Sequence, residues 1–243
     1  MQQQLKQAVL LYQKGQSQQA ETVCRSILAR YPWQPDALNL MGQLERGRGN
    51  FAQARRYFKK GLKKAPGNVH LLNSMGSIEK TQGNFAQAEN YFRKAMAVDS
   101  TYMQARYNLA TLFESQRKYP QAKRLYHEII QKQPQYAGAK ANLASILLRE
   151  HHLADAESYA NQALKIDPGN FIARLALADV ALRKGSFDDV APLLQPHLQS
   201  GKLTPVNFAV ASGKCAFAFE KLADYKKAFA LYESANRALV QAF

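Results

Sequence analysis

The sequence has few cysteines, prolines and glycines, and it has no long apolar run. Its 243 residues include two cysteines, Cys24 and Cys215, which excludes a disulfide framework and a cysteine-rich metal site. Nine prolines and 13 glycines are too few for a fibrous or linker-like polymer. No stretch approaches the roughly 18 uncharged apolar residues of a membrane-spanning helix, and the first residues lack the profile of a secretory signal. We therefore expect a soluble protein of a reducing compartment, with no transmembrane segment and a cytoplasmic location.

The charge is the unusual bulk property. The chain has 33 lysines and arginines against 18 aspartates and glutamates, a formal net charge of +15. Such an excess suggests a partner of negative charge, but it carries no information about the fold.

An internal period of 34 residues decides the architecture. The hexapeptide Gly-Asn-Phe-Ala-Gln-Ala occurs at 49–54 and again at 83–88, and the large residues Phe58 and Phe92 keep the same offset. The period predicts units at 1–34, 35–68, 69–102, 103–136, 137–170, 171–204 and, after four extra residues, 209–242.

Within a unit the apolar residues follow helical spacing and not strand alternation. In the third unit, Leu72 and Met75 mark one helical face, and Phe85 and Phe92 mark another. Gly-Asn ends the first helix, and Pro-Gly-Asn at 66–68 ends the second. The pattern predicts an all-α fold in which each unit is two antiparallel helices of about 13 residues.

Helix pairs of this size cannot bury their apolar faces alone, so neighbouring pairs are expected to share one continuous core. We therefore predict that 1–243 is a single domain. The sixth unit is the irregular one, because Pro192 and Pro196 disturb its second helix. Thr204-Pro205 is typical of a fresh helix start.

The pattern resembles the tetratricopeptide repeat (TPR) family. In the second unit its signature residues are Leu38, Met41, Gly42, Ala54, Phe58 and Pro66. The sequence departs from the family where Ala160 replaces an expected aromatic residue. The resemblance implies a superhelical solenoid of about seven repeats, whose first helices line a concave groove for a protein or peptide.

The resemblance places a set of mainly polar residues in or beside that groove. They are Asn39, Gln43, Arg46, Asn73, Ser77, Lys80, Tyr107, Asn108, Thr111, Glu114, Asn142 and Arg149. Side-chain amides offer donors and acceptors to an extended backbone, and Arg46 and Lys80 suit an acidic partner. Asn108 and Asn142 also occupy a position that is commonly Asn in the family for structural reasons, so a structural role stays open.

One helix of the second unit carries a basic stripe. It consists of Arg55, Arg56, Lys59, Lys60, Lys63 and Lys64. Its like-charge pairs at i,i+4 spacing destabilise the helix by roughly 1–2 kcal/mol in total. The stripe is either a solvated outer face or a surface for an acidic protein, phospholipid headgroups or nucleic acid. Nucleic acid is the weakest of these, because no aromatic residue interleaves with the stripe and Tyr57 and Phe58 are expected in the core.

Motifs for catalysis or metal binding are missing. His151-His152 is an adjacent pair at a turn without a third ligand at suitable spacing, which indicates a solvated turn. Both cysteines fall on inward-facing positions and are expected to be inert. No nucleophile is paired by spacing with a histidine base. We expect no enzyme activity, no metal and no cofactor.

A second resemblance concerns two segments. Residues 9–42 resemble the opening of bacterial proteins in which a TPR array precedes a catalytic domain, and 225–237 is similar to the last repeat of TPR–sulfotransferase proteins. This resemblance implies a non-catalytic arm that presents substrate to a transferase domain, which the sequence itself does not contain.

The last helix ends on apolar residues without a polar cap. They are Ala235, Leu239, Val240, Ala242 and Phe243. Terminal repeats normally have a polar outer face. We therefore expect either a further domain packed against this helix or self-association through it.

Overall fold

The computed structural model describes residues 1–240, and this part of the chain contains fourteen α-helices, one short 3₁₀ helix and no strand. The α-helices are α1 (Gln2–Gln13), α2 (Ser17–Arg30), α3 (Pro35–Gly47), α4 (Phe51–Lys64), α5 (Val69–Thr81), α6 (Phe85–Val98), α7 (Met103–Ser115), α8 (Tyr119–Lys132), α9 (Ala137–Arg149), α10 (Leu153–Ile166), α11 (Phe171–Lys184), α12 (Val190–Gln199), α13 (Pro205–Lys221) and α14 (Tyr225–Val240). The all-α solenoid fold is thereby confirmed. Ala242 and Phe243 lie outside the described residues.

Helix lengths follow the repeat. From α3 to α10, helices of 13 and 14 residues alternate, so each repeat between 35 and 170 holds one helix of each length.

The contacts group the chain into two parts, which we call the first compact unit (Met1–Leu125) and the second compact unit (Tyr126–Phe243). A single domain over 1–243 stays a prediction. None of the helices in residues 1–240 is long and apolar enough to cross a membrane.

Small residues in the first compact unit allow close helix packing. A Cβ atom added to Gly76 would lie 2.5 Å from Cε1 of Phe92, and one added to Gly61 would lie 2.6 Å from Cδ1 of Leu71. These are well inside van der Waals contact, so the glycines are required by the aromatic and aliphatic side chains beside them. This is the physical reason for the 34-residue register of small and large residues.

The repeated Gly-Asn turn serves two purposes. Gly49 and Gly83 adopt positive φ angles of 80° and 77°, which glycine accepts without a steric cost. The side chains of Asn50 and Asn84 donate hydrogen bonds of 2.8 Å to the buried carboxylates of Glu45 and Glu79, respectively. The asparagines therefore tie each turn to the helix that precedes it.

Other repeats keep the same turn without glycine. Arg117, His151 and Ala223 adopt φ angles of 59°, 64° and 59°. A left-handed conformation costs a non-glycine residue roughly 1–2 kcal/mol. The flanking helices impose this backbone conformation whatever residue occupies it.

The second compact unit has an alanine-rich core around α9, α10 and α11. Ala160, which replaces an aromatic residue, is fully buried there together with Ala144 and Ala156. The partly buried side chains of Leu147 and Leu164 pack against this cluster. The small side chain of Ala160 thus belongs to a cluster against which larger aliphatic side chains pack.

The sixth repeat is irregular, as predicted. After α11 the chain forms a 3₁₀ turn at Phe187–Asp189, and α12 has only 10 residues and contains Pro196. Thr204 caps α13 by accepting a hydrogen bond of 3.3 Å from the backbone N–H of Asn207, and Pro205 is the first helical residue.

Candidate functional site

Five of the predicted groove residues meet in one cavity of the first compact unit. The cavity has a volume of about 320 Å³ and a polar lining made by Gln43, Arg46, Asn73, Ser74, Ser77, Tyr102, Gln104 and Asn108. The helices α3, α5 and α7 supply most of these side chains. Ser74, Tyr102 and Gln104 were not among the predicted residues.

Hydrogen bonds between successive first helices hold these side chains in place. Nδ2 of Asn108 donates to Oδ1 of Asn73 over 2.7 Å, which joins α7 to α5. Oγ of Ser74 donates to Oδ1 of Asn39 over 2.8 Å, which joins α5 to α3. The amides are therefore preorganised, and they also contribute to the stacking of the repeats.

Lys80 lies beside this cavity and is half-buried. Its ammonium donates a hydrogen bond of 2.7 Å to the hydroxyl of Thr111. Burial lowers the pKa of Lys80, and the carboxylate of Glu114 opposes that shift. The ammonium therefore has a neutral hydroxyl as its hydrogen-bond partner and the carboxylate of Glu114 within electrostatic range.

The remaining predicted groove residues lie elsewhere. Tyr107 and Glu114 are half-buried on α7 and do not line the cavity. Asn142 is buried, and its Nδ2 donates to the hydroxyl of Tyr126 over 2.9 Å, which supports a structural role.

Arg149 lines a second cavity, within the second compact unit. This cavity has a volume of about 340 Å³, and its polar lining residues are Ser145, Arg149, Asp179, Arg183 and Lys214. Nη1 of Arg183 donates to the backbone carbonyl of Leu148 over 2.9 Å, and Lys214 pairs with Asp179. Three cations thus face one carboxylate.

Sequence reasoning missed four polar residues of this second cavity: Ser145, Asp179, Arg183 and Lys214. A signal existed, because Arg183 follows Arg149 by one repeat period. It was obscured by the irregular sixth repeat, which breaks the register before Lys214.

The structure removes Arg55 from the exposed basic stripe. Its guanidinium contacts Oε1 of Glu79 from Nε at 3.0 Å and from Nη2 at 2.9 Å, and it also donates to Gln82. The other five members are exposed on α4 and form no ion pair with a carboxylate among residues 1–240. Arg55 therefore links two repeats.

The expectation that no aromatic residue accompanies the stripe is wrong. The ring of Trp33, in the turn between α2 and α3, has the Nζ atoms of Lys60 and Lys64 at 5.2 and 5.3 Å from its centroid. Both distances are typical of cation–π contacts. Tyr57 is only half-buried, whereas Phe58 is fully buried as expected.

The residues considered for chemistry lack the surroundings that chemistry requires. His151 and His152 are exposed at a turn, and no cluster of metal-binding side chains occurs in the part of the chain that the structure describes. Burial raises the pKa of both Cys24 and Cys215 to about 11, which disfavours the reactive thiolate.

Comparison with protein families gives two matching profiles. Both are described as tetratricopeptide repeat; one matches residues 81–146 and 147–202, and the other matches 5–70. The chain belongs to the tetratricopeptide repeat family. A search of curated protein sequences gives no match.

Solved structures confirm the TPR fold. The chain is similar to PilF of Pseudomonas aeruginosa, with a TM-score of 0.69 and 19% identity over 82% of this chain and 91% of that chain. It is also similar to a chain of the APC/C hetero-tetramer Cut9–Hcn1, with a TM-score of 0.79 and 15% identity. That match covers 97% of this chain and 46% of the other. At these identities the likeness concerns the fold alone.

Proposed function

We propose that this TPR chain is a non-catalytic, cytoplasmic scaffold that binds an extended protein segment carrying an acidic group. The polar cavity between α3, α5 and α7 carries the proposal, because it gathers five groove residues with amides already held in position. The family membership and the all-α repeat fold support a protein-interaction role.

The chemistry of the cavity defines the segment. Asn108 donates to Asn73 and accepts a hydrogen bond of 3.2 Å from Gln104. Each side-chain amide can make further hydrogen bonds, so both asparagines can also bond a peptide backbone. Arg46 lines the cavity and Lys80 lies beside it. These two cations favour a carboxylate in the bound segment.

Binding of peptides tests the proposal. Peptides of equal length that differ in net charge are titrated into the protein by calorimetry, and we expect the acidic ones to bind. Asn73→Ala should lower affinity about 5-fold, the worth of one hydrogen bond of about 1 kcal/mol. Lys80→Glu should lower it further and abolish the preference for acidic peptides, because the introduced carboxylate offsets the charge of Arg46.

The matched control is Asn90→Ala, which truncates an exposed amide on α6. It should bind like the unaltered protein. Equal affinities for Asn73→Ala, Lys80→Glu and the control would remove the cavity from consideration, provided that the helical circular dichroism of all three is unchanged.

A second candidate function is a substrate-presenting arm of a TPR–sulfotransferase. The observation in its favour is the exposed apolar face of α14, where Phe229 is 71% and Tyr225 67% exposed. Phe229 occupies the repeat position of Arg55, which contacts Glu79 of the following helix pair. The exposed face of α14 therefore corresponds to the face of α4 that the following helix pair contacts.

The two readings of α14 have separate tests. Sulfate transfer from a nucleotide sulfate donor, assayed with the product of the complete reading frame, would support the arm; a frame without a nucleotide-binding domain would contradict it. Self-association predicts that sedimentation gives a dimer and that Phe229→Ser gives a monomer.

A further inference from the structure

We propose that the outer face of α4, together with Tyr31 and Trp33, is a docking surface for a membrane that contains anionic phospholipids. This surface is called the basic–aromatic face; its basic members are Arg56, Lys59, Lys60, Lys63 and Lys64. The proposal does not depend on the groove, because the polar cavity is built mainly from the first helices α3, α5 and α7.

The cations of this face are concentrated on one side of one helix. At 100° per residue, the five lie within an arc of about 140° and over a length of about 12 Å. The opposite side of α4 carries its buried residues, Ala54, Phe58 and Gly61. The sequence of α4 contains no acidic residue. The face therefore presents an unneutralised row of positive charge to solvent.

One exposed aromatic ring, that of Trp33, contacts this row, and Tyr31 lies two residues before it in the same turn. Tyr31 and Trp33 are each 41% exposed, and Lys60 and Lys64 contact the ring of Trp33. The guanidinium of Arg30 lies 5.7 Å from the centroid of Tyr31. Amphipathic Trp and Tyr rings favour the headgroup level of a bilayer, where lysines and arginines are attracted to anionic lipids. The combination matches that of interfacial membrane-binding surfaces.

An exposed aliphatic side chain lies beside the turn that follows α4. Gly67 follows Lys64 in the turn after α4, and a Cβ atom there would lie 3.8 Å from Cγ1 of Val98. Val98 is the last residue of α6 and is exposed. Val98 is thus a further exposed apolar side chain beside the turn that follows α4.

The same observations disfavour nucleic acid and an acidic protein. Non-specific binding of single strands uses a series of aromatic rings on which successive bases stack, whereas the cations of this face contact one ring, that of Trp33. Protein interfaces rely on anchors in well-packed pockets, whereas the basic members of this face line none of the cavities described above. Mobile lipid headgroups can adapt to long, solvated lysine side chains without such a pocket.

The experiment uses the fluorescence of Trp33, which is the only tryptophan in the chain. The full chain is mixed with vesicles of phosphatidylcholine alone or with added phosphatidylserine, and vesicle binding is measured by co-sedimentation. We expect binding and a blue shift of the emission only with phosphatidylserine, and both should decline as salt is raised.

Variants locate the surface. Lys59→Gln with Lys63→Gln removes two charges that do not touch Trp33 and should lower vesicle affinity about 25-fold, since each basic residue near an anionic surface contributes about fivefold. The matched control, Lys132→Gln with Lys165→Gln, removes two exposed charges from the second compact unit and should lower it far less.

Three results would overturn the proposal. One is the absence of both binding and blue shift with phosphatidylserine vesicles at low salt. Another is an equal loss in the control variant, which would indicate attraction by net charge alone. The third is an equal blue shift with single-stranded RNA or polyglutamate, which would assign the face to another class of partner.

Discussion

Replacing Glu79 with alanine removes the centre of a contact that joins two repeats and a turn. Glu79 is 3% exposed, and its carboxylate accepts a hydrogen bond of 3.0 Å from Nε of Arg55 on α4 and one of 2.8 Å from Asn84 in the turn after α5. Nη2 of Arg55 forms an ion pair with the same carboxylate oxygen at 2.9 Å. The substitution leaves a guanidinium and an amide without their shared acceptor, so we expect it to destabilise the first compact unit.

The magnitude follows from burial. Removing one partner of a fully buried ion pair costs about 3–5 kcal/mol, but the side chain of Arg55 is 28% exposed and retains Gln82 as a partner. Hydrogen bonds to charged groups contribute about 1.5–3 kcal/mol. We therefore expect a loss of about 2–3 kcal/mol, which corresponds to a decrease in melting temperature of about 5–10 °C for a chain of this size.

Urea denaturation followed by far-ultraviolet circular dichroism measures the effect. Glu89→Ala is the matched control, because Glu89 pairs with Arg93 on the surface of a single helix. Such a pair contributes about 0.2–0.5 kcal/mol. If Glu79→Ala shifts the unfolding midpoint no more than Glu89→Ala does, the contact between the repeats does not stabilise the fold as argued.

Two further predictions concern a turn and the cysteines. Ala223→Gly should stabilise the protein by about 1 kcal/mol because it relieves the left-handed backbone strain. Gly83→Ala should destabilise the protein by a similar amount. A lower urea midpoint for Ala223→Gly than for the unaltered protein would refute this reasoning. The pKa values of Cys24 and Cys215 are raised by burial to about 11, so the unfolded thiols ionise first. The stability contributed by these thiols should be lost as pH rises above about 9. Alkylation of the thiols at pH 9 should be at least 50-fold slower in the folded protein than in urea. Equal alkylation rates in the two states would contradict the burial of both thiols.

Local spacing was sufficient to predict the repeat architecture. The helix pairs, the Gly-Asn turns and the start of α13 at Thr204-Pro205 depend on residues a few positions apart, and the structure confirms them. The pairing of Gly42 with Phe58 is likewise inherent in the repeat, since a small residue there must oppose a large one.

Side-chain contacts between repeats could not be predicted in this way. Trp33 is 27 residues from Lys60, and Arg55 is 24 residues from Glu79, so their meeting depends on how successive helix pairs stack. The hexapeptide predicts a turn, and the structure adds that its asparagine donates a hydrogen bond to a buried glutamate. Lys214 of the second cavity could not be placed from the period, because the short helix α12 shifts the register of the residues after it. Arg183 precedes α12 and keeps the period of Arg149.

The left-handed turn at His151 has a practical consequence. Because α9 and α10 determine its backbone, the exposed residue at this corner can be exchanged for one that carries a fluorescent dye or a spin label. A second label at Arg117, one period earlier, then gives a pair of probes on equivalent corners. The signal of each label would report whether a partner binds near its own corner.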